Sequence, residues 1–108
     1  MNDKILTLLG FASKSGKLSY GFDAVKTTLS QKKSKLVLIA NDVSAKSKKE
    51  VLFFSDKFKT QAITLDAYDM ETLSHSVGRK CGIVSVNDIS FANGLLLAIN
   101  VGRNLNDK

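Results

Sequence analysis

The sequence predicts an α/β fold, a three-layer α/β/α sandwich with a four-stranded mixed sheet. Short apolar runs typical of strands alternate with amphipathic stretches typical of helices along its 108 residues. The chain contains no Pro and no Gly/Ser-rich linker, and it shows no internal repeat. We therefore expect a single domain over residues 1–108.

Two helices are predicted in the first third of the chain from apolar residues spaced three and four apart. These residues are Ile5, Leu8, Leu9 and Ala12 in the first helix and Phe22, Val25 and Leu29 in the second. Gly16 is placed to end the first helix. The basic segment 31–35 lies near the negative end of the second, a favourable arrangement. A short strand around residues 17–19 is an additional expectation.

Three further strands are predicted from short runs of apolar and β-branched residues. They cover residues 36–40, 62–65 and 82–86. The first of them is apolar throughout, as expected for a central strand covered on both faces, and the turn residues Asn41 and Asp42 close it.

Three further helices are predicted from a capping residue followed by helical apolar spacing. The caps are Ser44, Asp69 and Asp88. Asp42, Asp69 and Asp88 each begin or precede a helix, so capping accounts for their carboxylates without a catalytic role. Gly102 is expected to end the last helix. The apolar positions of the three helices are Val51, Phe54 and Phe58, then Met70, Leu73 and Val77, and finally Ala92, Leu95, Leu96 and Ile99. Lys46, Lys48 and Lys49 are expected on the exposed side of the first of these helices.

Positive charge is concentrated in one half of the chain, whose overall formal net charge is +6. Residues 1–60 contain twelve lysines and five acidic residues, a net charge of +7, whereas the rest contains four basic and five acidic residues, a net charge of −1. Such a field attracts polyanions, of which nucleic acid is the commonest. An anionic membrane surface responds to the same field, and solubility alone is the simplest explanation.

Cysteine content and the lengths of the apolar runs predict a cytoplasmic protein. Cys81 is the single cysteine, so neither a disulfide nor a multi-cysteine zinc site is expected. Residues 1–4 carry an acid and precede an amphipathic stretch without a small-residue cleavage site, unlike a secretory signal. The longest apolar runs are far shorter than the roughly 20 residues that cross a bilayer, so no membrane span is predicted.

The sequence shows no recognisable catalytic, cofactor or metal motif. Segment 10–17 has five residues between its glycines, one more than the phosphate-binding loop of nucleotide triphosphatases requires. His75 has no second His or Cys nearby and is expected on a helix surface. Arg79 and Lys80 can lower the pKa of the Cys81 thiol, but no base is identifiable beside it. We therefore predict a protein that is not an enzyme and that uses no cofactor or metal.

The start of the second helix is suited to binding an anion. Residues 20–23 open this helix, where free backbone N–H groups and the positive end of the helix dipole favour a phosphate. Lys26 lies one turn beyond Asp23 on the same face, so an acceptor and a donor can approach one ligand together. The alternative is that Asp23 and Lys26 form an ordinary helical ion pair.

Five segments have an order and spacing that together match a known family. They are residues 8–12 with 16–18, residues 21–26, 36–42 and 73–78, and the closing residues 86–97. In these segments the chain resembles the ribosomal L-seven-Ae/L-thirty-e superfamily, most closely its bacterial YlxQ-type members. The resemblance covers nearly the whole chain and implies a ribosomal-protein-like RNA-binding protein that acts in a ribonucleoprotein.

The resemblance also implies a ligand, a sharply bent RNA called the kink-turn, bound on the major-groove side of its tandem sheared G·A pairs. The family motif is a glycine, a polar residue, Glu or Gln, and Lys one turn later, and residues 21–26 occupy that region here. A residue after the central strand and the loop after the fourth helix complete the site. Ser74 stands where the family usually has Gly. The predicted RNA-binding residues are Lys14, Lys17, Gly21, Phe22, Asp23, Lys26, Asn41, Asp42, Val43, Val77, Gly78, Arg79, Lys80, Cys81 and Gly82.

Three hypotheses from different classes follow. The first is a monomeric RNA binder for a kink-turn or ribosomal RNA, with ribosomal proteins as further partners, in which Asp23 and Asn41 read bases while basic side chains neutralise phosphates. The second is a protein-interaction or assembly module that has lost specific RNA recognition, which an exposed Phe22 would favour. The alternative for Phe22 is core packing with the apolar residues of its own helix. An uncharacterised enzyme is the third.

Overall fold

Five helices and four strands alternate along residues 3–106, the part of the chain that this computed structural model describes, with side chains described to residue 101. In chain order they are α1 Lys4–Lys14, β1 Leu18–Tyr20, α2 Phe22–Ser30, β2 Leu36–Ala40, α3 Ala45–Lys57, β3 Ala62–Leu65, α4 Met70–Val77, β4 Ile83–Val86 and α5 Ile89–Asn106. None of these helices, within the residues described, is both long and apolar enough to cross a membrane.

The four strands form one mixed sheet, as predicted, and their order is β1-β4-β2-β3. Strand β4 pairs antiparallel with both β1 and β2, so that Val84 lies between Tyr20 and Leu38. Strand β2 pairs parallel with β3, and helix α3 makes the crossover between them. Strands β1 and β2 therefore end at the edge of the sheet where β4 begins.

Helices cover both faces of this sheet, which confirms the predicted three-layer sandwich. Every residue of β2 is at most 1% exposed. Leu38 and its neighbours on the same face pack in a core cluster with residues of α1, α4 and α5. Val37 and Ile39, on the other face, pack in a second cluster with residues of α2 and α3. The alternation of side chains along one buried strand thus supplies both cores.

The predicted helix boundaries are confirmed where a capping side chain or a left-handed glycine sets them. Ser44 Oγ accepts a hydrogen bond from the Ser47 N–H at 3.2 Å. Asp69 Oδ1 accepts from the Thr72 N–H at 2.8 Å, and these first-turn bonds hold the pKa of the Asp69 carboxyl below its ordinary value. Asp88 caps α5 in the same way. Gly16 follows α1 with a φ of 70°.

Some details of the prediction are wrong. Helix α5 does not end at Gly102 but continues to Asn106, because a glycine ends a helix only where its backbone leaves the helical conformation. Phe54 and Phe58 are half-buried, since the inward face of α3 is centred on Val51 and Ser55. In addition, Met70 is 41% exposed, Leu96 is half-buried, and β1 covers residues 18–20 where 17–19 were expected.

Buried polar side chains connect the end of β4 to its neighbours. Ser85 is fully buried, and its hydroxyl donates to Asn87 Oδ1 at 2.6 Å and lies within hydrogen-bonding distance of Ser34 Oγ, at 2.7 Å. Asn87 Nδ2 in turn donates to Ser19 Oγ at 2.9 Å. Ser55 is the contrast, because its buried hydroxyl has no hydrogen-bond partner among the residues described.

These two serines are expected to respond oppositely to replacement by alanine. Ser85→Ala removes the hydrogen-bond partner of the buried Ser34 hydroxyl and of the part-buried Asn87 Oδ1, so the free energy of unfolding should fall by about 1–3 kcal/mol. Ser55→Ala removes a hydroxyl that gains nothing in the fold, so stability should stay the same or rise. Urea denaturation of both variants measures the difference. Equal destabilisation by the two substitutions would contradict the hydrogen bonding described here.

Candidate nucleic-acid interface

Three loops meet where β1 and β2 end and β4 begins. The Gly21 N–H donates to the Ile83 carbonyl at 2.8 Å, and the Ala40 N–H donates to the Gly82 carbonyl at 2.8 Å. The start of β4 is thereby held between the residues that follow β1 and those that follow β2. We define the loop end of the sheet as residues 20–23, 41–43 and 78–82.

Helix α2 begins at the loop end without a side-chain cap. Gly21, at the N-cap position, has φ 88° and ψ 162°, a conformation that is essentially restricted to glycine. No side chain in the described part of the chain makes the capping hydrogen bond. The first-turn N–H groups therefore have no side-chain cap in the described part of the chain, and Asp23 is exposed beside them.

The Arg79 side chain lies against an aromatic ring of β1. Its guanidinium carbon lies 5.0 Å from the centroid of the Tyr20 ring, two residues before α2. The Tyr20 hydroxyl lies 2.6 Å from Ser13 Oγ, and the Ser13 hydroxyl also approaches the Val77 carbonyl, at 2.6 Å. The ring is thus fixed against α1 and the end of α4. Sequence reasoning did not assign roles to Tyr20 and Ser13, because these contacts join distant segments.

The loop of residues 78–82 is shaped by a serine on α4. Ser74 Oγ accepts from the Cys81 N–H at 2.9 Å and donates to the Cys81 carbonyl at 3.0 Å. Gly78 ends α4 in the left-handed conformation, with φ 77°. Ser74, which departs from the superfamily pattern, therefore fixes both the N–H and the carbonyl of Cys81. Arg79 and Lys80, which lie between Gly78 and Cys81, are exposed.

Gly82 allows the loops to pack closely. A Cβ atom at this position would lie 2.6 Å from Met70 Sδ and 2.9 Å from Val43 Cγ2, closer than van der Waals contact allows. The absence of a side chain at Gly82 therefore lets Val43 and the start of α4 approach β4. Val77, also predicted in the site, is 5% exposed, and its carbonyl accepts a hydrogen bond from the Ser13 hydroxyl.

Asn41 and Asp42 use part of their hydrogen-bonding capacity within the protein. Asn41 Nδ2 donates to the Asp66 carbonyl at 2.9 Å. Asp42 Oδ1 accepts from the Met70 N–H at 2.8 Å and so contacts the start of α4, not of α3. Both side chains remain exposed, but they also hold the loop between β3 and α4.

Lys26 and Phe22 lie on the α3 side of α2. The Lys26 ammonium is 4.5 Å from the centroid of the Phe54 ring. Phe22 is half-buried and packs edge-on against the same ring at a centroid distance of 6.4 Å. Phe22 also joins the core cluster that contains Val25 and Leu29, which agrees with core packing and not with a protruding apolar contact.

The structure does not bring all the predicted lysines to the loop end. The Lys17 carbonyl accepts a hydrogen bond from the Asn87 N–H, so Lys17 lies at the opposite end of β1. At the rise per residue of a strand, Lys17 and Gly21 are about 13 Å apart. Lys14 is exposed in the last turn of α1, next to Ser13.

A concavity of about 950 Å³ lies between α4 and the loop end. Met70, Cys81 and Gly82 contribute to its lining, and Arg79 and Lys80 give it a basic side. His75 also lines it, exposed on α4 as predicted. No group of three or more His, Cys, Asp or Glu side chains that could hold a metal ion occurs within residues 3–106.

Mixed-sheet topology, an uncapped helix start and a loop end that exposes Arg79 and Lys80 together describe a small α/β protein whose loops cluster at one end of the sheet. The family model for the "Ribosomal protein L7Ae/L30e/S12e/Gadd45 family" matches residues 3–95, so the chain belongs to this family. The RNA-binding protein YlxQ of Enterococcus faecium is 27% identical over 89 residues, which cover 82% of this chain and 84% of that protein. This relative agrees with the YlxQ-type branch that the sequence predicted.

Two solved structures share the fold. A Bacillus halodurans protein described as having unknown function has a TM-score of 0.86 and 22% identity, covering 92% of this chain and 99% of its own. The 15.5-kD RNA-binding protein of Giardia lamblia has a TM-score of 0.71 and 12% identity, covering 97% of this chain and 92% of its own. At these identities the likeness concerns the fold alone.

The Cys81 thiol should be unreactive. Its side chain is 7% exposed, and burial raises the pKa of the thiol above its ordinary value despite the Ser74 hydrogen bond and the nearby Arg79 charge, contrary to the lowering considered from the sequence. Because folding favours the neutral thiol, the thiolate fraction at any pH is smaller than for a free cysteine. Iodoacetamide at about pH 8 should therefore alkylate the protein more slowly than N-acetylcysteine. Faster alkylation would contradict this assignment.

Proposed function

We propose that the chain is a non-catalytic RNA-binding protein that recognises kink-turn-like structured RNA at the loop end of the sheet. The observation that carries the proposal is that the loop end brings the uncapped start of α2 and the exposed Arg79, whose guanidinium lies against the Tyr20 ring, to the same end of the sheet. Backbone N–H groups at a helix start and a guanidinium fork are two of the groups that bind phosphate best.

Membership of the family and the names of two relatives support this proposal. YlxQ of Enterococcus faecium and the Giardia lamblia protein are both named as RNA-binding proteins. The family's description names ribosomal proteins, which supports ribosomal RNA as one source of the ligand.

The loop end offers different groups to phosphates and to bases. Arg79, Lys80 and the first-turn N–H groups of α2 bind phosphates, whereas the exposed Asp23 carboxylate accepts a hydrogen bond from a base amino group. Gly78, at the start of the loop of residues 78–82, has open space where a side chain would lie, which allows the RNA backbone to approach closely. An unstacked base fits the concavity beside Met70.

The protein-interaction hypothesis is not favoured by the partial burial of Phe22. It needed an exposed Phe22, and this side chain is half-buried against Phe54.

Binding to a labelled kink-turn RNA tests the proposal directly. The same RNA with its G·A pairs replaced by Watson–Crick pairs is the control, and each is titrated at two salt concentrations. We expect tighter binding to the intact kink-turn, with log affinity falling against log salt at a slope of about −3 to −4 if about four phosphates are neutralised. Equal affinity for the two RNAs would contradict kink-turn recognition, and a flat salt response would contradict phosphate binding.

Two single substitutions test where the RNA lies. Arg79→Ala should weaken binding to the intact kink-turn by about 1–3 kcal/mol, because it removes a guanidinium from the loop end. Lys17→Ala, an exposed cation removed at the opposite end of β1, is the matched control and should have a much smaller effect. A larger loss with Lys17→Ala would place the RNA at the wrong end of the sheet for this proposal.

A further inference from the structure

Helix α3 carries an exposed aromatic ring among lysines, outside the loop end. Phe53 is 63% exposed, on the side of the helix opposite the buried Val51 and Ser55. Lys46, Lys49 and Lys57 are separated from it by seven, four and four positions, so they lie within about 40° of its direction on the helix. We call these four residues, Lys46, Lys49, Phe53 and Lys57, the α3 outer face.

A row of aromatic contacts connects this face to the start of α2. The rings of Phe22 and Phe54 have centroids 6.4 Å apart, and those of Phe54 and Phe53 are 5.3 Å apart, edge to face in both pairs. The Lys26 ammonium lies above the middle ring of this row. Helix α3 itself begins directly after the loop of residues 41–43, so Phe53 lies about 13 Å along the helix from its cap, Ser44.

The charge of α3 is suited to a polyanion. The helix contains four lysines and two acidic residues, and three of the lysines lie in its first five positions, towards the loop end. Glu50 and Asp56 flank the α3 outer face on either side, three positions from Phe53, so the positive charge is concentrated in the half nearest the loop end.

We propose that the α3 outer face binds a single-stranded segment of the RNA, with an unpaired base stacked on Phe53 and phosphates bound by Lys46 and Lys49. This rests on the proposed function, since it extends the path of an RNA held at the loop end. Aromatic rings interspersed with basic side chains are the recurring means by which proteins bind unpaired nucleotides. Duplex RNA does not fit, because its base faces are covered by neighbouring pairs. Phe53 and the adjacent Leu52, which is 39% exposed, together form too small an apolar area for a stable protein interface.

The chain contains no tryptophan, which gives a direct optical test. In Phe53→Trp the only indole lies at the proposed stacking position. The probes are a kink-turn RNA carrying a single-stranded tail of roughly 8 nucleotides on its 5′ or 3′ end, and the same RNA without a tail. Phe11→Trp is the matched control, because Phe11 is 56% exposed but lies on α1, in the layer on the other face of the sheet.

We expect a tailed RNA to quench the fluorescence of Phe53→Trp and to leave that of Phe11→Trp nearly unchanged. Phe53→Ala should weaken binding of the tailed RNA about tenfold and leave the untailed RNA unaffected, whereas Phe53→Tyr should retain the affinity. Lys46→Gln combined with Lys49→Gln should make the salt slope of the tailed RNA shallower by about 1.4. Thermal unfolding of each variant checks that the fold is intact.

Equal quenching at both positions, or equal affinity of the Phe53→Ala variant and the unaltered protein for both tailed RNAs, would overturn this proposal. If the unaltered protein still prefers the intact kink-turn in that case, the proposed function stands alone. If instead the kink-turn is not preferred, but a free oligonucleotide of the tail quenches Phe53→Trp and not Phe11→Trp, the α3 outer face binds single strands and kink-turn recognition fails.

Discussion

The antiparallel pairing of β4 with both β1 and β2 is the constraint on which the rest of the structure depends. It places the beginning of one central strand between the ends of two others, with Gly21 and Ala40 bonded on either side of the Gly82–Ile83 segment. Three connections that are far apart in the chain must then share one edge of the sheet. The helix start after β1 needs a left-handed glycine there, and the loop before β4 needs a residue without a side chain.

In this arrangement hydrogen bonds hold the backbone of the loop end, while its functional side chains are exposed. Tyr20 is fixed by Ser13, and Ser74 fixes the backbone of Cys81. Arg79 is exposed, but the ring that it contacts and the loop that carries it are therefore both held in place. A preorganised cation loses little conformational freedom when it binds phosphate. The same physical reasoning applies to α3, where the Phe54 ring packs edge to face with the exposed Phe53 ring.

The spacing of apolar residues predicted the strands and helices, because residues buried in these elements recur at regular intervals along the sequence. The five apolar residues of β2 predicted a strand covered on both faces, and Asp69 and Asp88 act as the caps that their positions indicate. The end of α5 was mispredicted, because glycine permits a helix to end without requiring it. Nearness in sequence also misled, since Lys17 and Gly21 lie at opposite ends of the same short strand.

Mapping the bound RNA onto the backbone tests the central claim most directly. In a titration of isotopically labelled protein with the kink-turn RNA, followed by amide chemical shifts, the largest changes should fall in the first turn of α2 and in residues 78–82. Changes confined to the opposite end of the sheet, around Lys17 and Asn87, would contradict the claim that the loop end is the RNA-binding site.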